Sequence, residues 1–118
     1  MMKKFLSLIG ILVILAFSFA SLAPQNANDL FQKALAKERG EGNLKEAIAL
    51  YEKVIEVAQD KSLAAKAQLR IGFCYEKLGQ EQANQAQQAF QKVVENYPDQ
   101  TEAVKVAQDK LFVLQRAR

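Results

Sequence analysis

Two stretches of this chain carry the same residue types at a nearly constant offset, and that offset restricts the folds open to it. Ala47-Ile48, Tyr51 and Val54-Ile55 match Ala86, Phe90 and Val93-Val94 at a distance of 39 residues. Upstream of each, Ala34 matches Gly72 at a distance of 38. A constant offset with matching residue types marks an internal repeat. Within each copy the small, aromatic and aliphatic residues recur three and four apart, which puts them on one face of a helix. The repeated unit is therefore helical, and the chain reads as all-α.

The punctuation between these patterns divides the chain into five helices. Asn28 or Asp29 is a plausible N-cap for a first helix, in which Leu30, Phe31, Ala34 and Leu35 recur as far as Arg39. Gly40-Glu41-Gly42-Asn43 interrupts it. A second helix runs from Leu44 to about Gln59, with Leu44, Ala47, Ile48, Tyr51, Val54 and Ile55 inward and Lys45, Glu46, Glu52 and Lys53 outward. Asp60 or Ser62 caps a third, which reaches Leu78 and ends at Gly79. The glutamine-rich fourth starts near Glu81 or Asn84, keeps Ala83, Ala86, Ala89 and Phe90 at helical spacing, and ends at Asn96 before Pro98. Thr101-Glu102 opens the fifth, with a stripe of Val104, Ala107, Leu111 and Leu114 widened by Ala103, Val106 and Val113. Phe112 either completes that stripe or lies on a contact surface. Gly72 inside the third helix costs about 1 kcal/mol against alanine, so the fourth helix is expected to pack where a side chain would not fit.

Ile71, Gly72, Tyr75, Leu78, Gly79, Ala86, Phe90 and Pro98 together resemble a tetratricopeptide repeat, a helix-turn-helix unit of about 34 residues. Gly72 to Ala86 is longer than that motif's usual spacing, which implies a stretched turn around Gln80–Gln85. The resemblance implies a short right-handed superhelix of two helix hairpins, at about 29–60 and 62–98, closed by a capping helix at 100–116. It also implies a non-catalytic, protein-binding scaffold.

Composition supports no other class. The chain has 118 residues, enough for one small domain. With no histidine there is no Ser-His or Cys-His pair and no imidazole ligand, so neither an enzyme nor a metal or cofactor site is expected. Gly40-Glu41-Gly42 lacks the third glycine, the lysine and the preceding strand of a phosphate loop. Setting Lys3 and Lys4 aside leaves 14 basic against 13 acidic residues, a balance that gives no argument for nucleic acid. Cys74, between Phe73 and Tyr75, reads as a small buried hydrophobe rather than an interchain thiol.

Residues 1–20 read as an export signal: Lys3-Lys4, an apolar run over Phe5–Phe19, then Ser18-Phe19-Ala20 with small residues at the two positions a signal peptidase reads. Cleavage after Ala20 is expected. Ser21-Leu22-Ala23 also fits, but Pro24 follows it directly. An uncleaved anchor is the alternative, and would be the chain's one tie to a membrane. Residues 21–28 read as a disordered linker, and 29–118 as the repeat domain, periplasmic or secreted in a bacterium.

In the resembled family the first helix of each repeat lines a concave groove that takes a peptide or partner helix. Aligning Ala34 with Gly72 sets Phe31, Leu35, Glu38 and Arg39 opposite Leu69, Phe73, Glu76 and Lys77, with Asn28 opposite Lys66. Phe31, Leu35, Leu69 and Phe73 would floor the groove, and Arg39, Glu38, Glu76 and Lys77 would rim it. The other reading of these apolar residues is plain core. Two classes of function follow: an exported adaptor with a peptide or protein partner, or a structural module that packs on a second copy of itself. The chain is also similar, over about residues 28–115, to the repeat segment that precedes a TolB-like β-propeller in some exported bacterial proteins. A stand-alone or truncated module of that kind is a further reading.

Overall fold

The structure, a computed structural model, describes residues 26–117. The expected signal segment and most of the expected linker lie outside the described residues. Within them are five α-helices and no strand: α1 (Ala27–Leu35), α2 (Leu44–Val57), α3 (Lys61–Leu78), α4 (Ala83–Asn96) and α5 (Thr101–Arg116). Each packs on the next in the chain, so the architecture is an all-α stack of two helix hairpins and a final helix.

Local chemistry sets the boundaries. The N-cap of α1 is Asn26, not Asn28 or Asp29: its side chain accepts from the Asp29 backbone N–H at 2.9 Å. The first helix therefore begins two residues inside the stretch expected to be linker. It does not stop at Leu35 but widens into a π-helical turn over Ala36–Gly40. Gly42, at φ 65, then takes the left-handed conformation that lets the chain reverse. Asn43 caps α2 reciprocally, its Oδ1 accepting from the Glu46 N–H and its Nδ2 donating to Glu46 Oε2. Of the two candidates for α3, Asp60 is the cap, accepting from Ser62 N–H at 2.9 Å. The stretched turn after Gly79 is a single 3-10 turn, Gln80–Gln82.

Two clusters make the core. The first joins Leu30 and Ala34 of α1, Ala47, Ile48, Tyr51 and Val54 of α2, Ala67, Ile71 and Cys74 of α3, and Ala89 of α4. The second joins Ala86, Phe90 and Val93 of α4 to Ala107 of α5. Tyr75 packs against both. The expectation for Gly72 is met: a Cβ there would lie 2.4 Å from Cε1 of the fully buried Phe90 ring. In the first repeat Ala34 and Tyr51, both fully buried, hold the corresponding positions.

On α5, Val104, Ala107, Leu111 and Leu114 pack inward as the periodicity predicts. Val106 and Val113 do not widen that stripe, being 37% and 60% exposed. Phe112 is likewise 60% exposed and does not complete it.

Candidate functional site

The central helix α3 touches both α1 and α5 and so links the first helix of each hairpin to the final helix. Residues 66, 69, 70, 73, 76 and 77 recur at helical spacing along α3. Leu69 and Phe73 are half-buried against the second cluster, and Phe73 meets Phe90 edge to face at 5.6 Å. Phe31 and Leu35 are half-buried against the first cluster, with Phe31 edge to face on Tyr51 at 5.6 Å. All four thus contribute to the core while keeping part of their surface outside. Lys66 and Arg39 are exposed.

Glu38 departs from expectation. It is not a rim residue; its side chain is fully buried. The reason is its spacing: Leu30, Ala34 and Glu38 recur every four residues, which carries Glu38 onto the inward stripe of the first helix. A buried carboxylate is tolerated only when its oxygens are paired. Here the Tyr51 hydroxyl donates to Oε1 at 2.7 Å, Arg70 Nε donates to Oε1 at 3.1 Å, and Lys77 Nζ donates to Oε2 at 2.5 Å. The Arg70 guanidinium also grips Oε2. Burial pushes the Glu38 carboxyl upward, but the bonds from Arg70, Lys77 and Tyr51 outweigh it and hold the group at about 2. The same burial, with Glu38 accepting from it, raises the Tyr51 hydroxyl. Glu38 therefore joins α1 to α2 and α3 across the repeat boundary.

A second polar link runs from α3 to α5. Lys110 pairs with Glu76 at 3.2 Å, and its ammonium lies 5.4 Å from the centre of the Phe73 ring. Arg70 lies 5.0 Å from that centre, so Phe73 sits among two cations. Arg70 and Lys110 were missed in the sequence. Their signal was weak: Arg70 shares a face with Lys77, seven residues on, and Lys110 sits on the inward side of α5 beside Ala107 and Leu114.

Next to this belt, a cleft of about 380 Å3 opens between the N-terminal halves of α3 and α5. Leu69, Ala103 and Val106 line it together with Lys66, Asp99 and Glu102. Another, of about 280 Å3, lies among α2, α3 and α4, lined by Ile55, Ile71 and Tyr75 among glutamines and charges. The described residues hold no cluster of three or more histidine, cysteine or acidic side chains placed to bind a metal ion. None of the described helices is long and apolar enough to cross a membrane.

Two family models, each of a tetratricopeptide repeat, match residues 30–61 and 66–99, together more than half of the chain. The chain belongs to the tetratricopeptide repeat family. No curated protein and no solved structure matches it. Tetratricopeptide repeats are generally non-catalytic interaction repeats, and their presence here suggests a protein–protein interaction module. Each matched segment spans one hairpin, α1–α2 and α3–α4, and α5 lies outside both. The tetratricopeptide pattern also accounts for the Gly72–Phe90 contact, where a small residue admits a ring from the second helix.

Proposed function

We propose that the chain is an exported adaptor that binds a peptide or helix of a protein partner on the face shared by α1, α3 and α5. The observation that carries this reading is the cleft between α3 and α5, lined by Leu69, Ala103 and Val106 together with the exposed Lys66 and Glu102. An apolar concavity with a few charged groups at its edge fits a side chain of a protein segment, fixing its depth by burial and its direction by charge. Phe31, Leu35 and Phe73 extend the apolar surface along the same face, and Arg39, Glu76 and Lys77 bound it. Export rests on the leader, Lys3-Lys4 followed by the apolar run to Phe19 and the small residues up to Ala20.

Site-specific photo-crosslinking in the producing cell tests the reading. A photoreactive residue in place of Lys66 or Glu102 should give a discrete protein adduct. The same residue in place of Lys53 on α2 or Gln91 on α4, both exposed, should give none. Equal adducts from all four positions, or none from the first two, would contradict it.

A further inference from the structure

The last helix of a repeat stack ordinarily turns a polar face to water. α5 does not. Phe112 and Val113, on the side away from Ala107 and Leu114, are each 60% exposed, a larger exposure than any other big apolar residue described. Around this pair the charges are ordered. Asp109 stands three residues before Phe112 and Arg116 three residues after Val113, and all four are exposed. Reversed end to end, Asp109-x-x-Phe112-Val113-x-x-Arg116 becomes its own complement: acid faces base, and apolar faces apolar. A two-fold interface requires this kind of self-complementarity.

We infer that two copies of the chain pair antiparallel through the outward face of α5, crossing at Phe112 and Val113. The Phe112–Val113 pair of each copy packs on the same pair of the other, and Asp109 of each copy meets Arg116 of the other. In the single chain Arg116 rests 5.5 Å from the centre of the Phe112 ring, so its guanidinium already stands beside the apolar pair. Among the described residues neither Asp109 nor Arg116 has an ion-pair partner. Two tetratricopeptide repeats are also fewer than the three or more that stable arrays ordinarily need, which favours recruitment of a second copy. The contact covers about two helical turns, well below the roughly 800 Å2 per partner of a standard interface, so the association is weak and concentration-dependent. The pairing uses the stripe of α5 that also carries Val106, one heptad before Val113, while Leu69 and Ala103 lie on the inward side.

Sedimentation of the purified chain over a dilution series up to about 200 µM tests the pairing. Dimer should form within that range, and Val113→Asp should weaken it by about tenfold or more with helical circular dichroism unchanged. Asp109→Arg and Arg116→Asp should each weaken it similarly, because the two-fold axis turns each substitution into two like-charge contacts. The double variant should return to within about threefold of the original chain. A monomer at every concentration overturns the inference. Association that survives Val113→Asp, or that both single charge swaps leave unchanged, overturns it as well, because another surface, the apolar run 5–19 included, would then be responsible.

Discussion

Gly72 and Glu38 carry the most consequence for the least side-chain volume. Gly72→Ala would gain about 1 kcal/mol of helix propensity, yet its methyl would enter the space of the Phe90 ring. Phe90 is fully buried, so the ring cannot swing away without disturbing the second cluster. Overpacking of this kind costs about 1–3 kcal/mol, and urea denaturation should show Gly72→Ala net destabilised. A net gain near the propensity value would mean that the contact is loose. Glu38 is held at about 2 in the folded chain, below its ordinary value of 4.5. A folded-state value below the unfolded one contributes stability that is complete above about pH 4.5 and is lost as the pH falls toward 2. Glu38→Gln should therefore destabilise the protein at neutral pH by about 3 kcal/mol, the low end for a broken buried pair because Lys77 is half in solvent. The difference between the two proteins should shrink as the pH drops through that window. A difference independent of pH would show that the carboxylate charge plays no part.

The helices themselves were largely legible in the sequence. Ala47 to Ile55 and Ala86 to Val94 announce α2 and α4 by spacing alone, and Gly79 and Pro98 mark where α3 and α4 stop. The first helix differs from its sequence reading mainly at its start. Asn26 caps it earlier than expected, and the π-helical turn over Ala36–Gly40 takes the helix to Gly40, a residue read as an interruption. Glu38 was misread for a related reason: its four-residue spacing from Ala34 was visible, but its partners Arg70 and Lys77 lie 32 and 39 residues away. No local pattern announces such distant pairing. Asn43 is the best-defined cap of the described helices, with bonds in both directions to Glu46. Asn43→Ala should cost about 1 kcal/mol, measured by thermal unfolding. An unchanged midpoint would place the start of α2 under the control of packing instead.

At the scale of the whole molecule, the proposed binding face exists only if the two repeats behave as one body. The first cluster reaches from Leu30 in α1 to Ala89 in α4, and Glu38 ties α1 to α3, so the first hairpin has no core of its own to fall back on. Cys74 sits at this junction, fully buried, and is the single cysteine of the chain. Burial pushes its thiol up to about 12, which removes the reactive thiolate at neutral pH. The direct test is therefore the rate at which a thiol reagent labels Cys74 in rising urea. If the repeats open together, labelling is blocked in the native protein, and its free energy of opening equals that of global unfolding and falls with the same urea dependence. Labelling through an opening much less costly than global unfolding, with little urea dependence, would show that the hairpins separate independently, and the proposed binding face of α1, α3 and α5 would not survive as a unit.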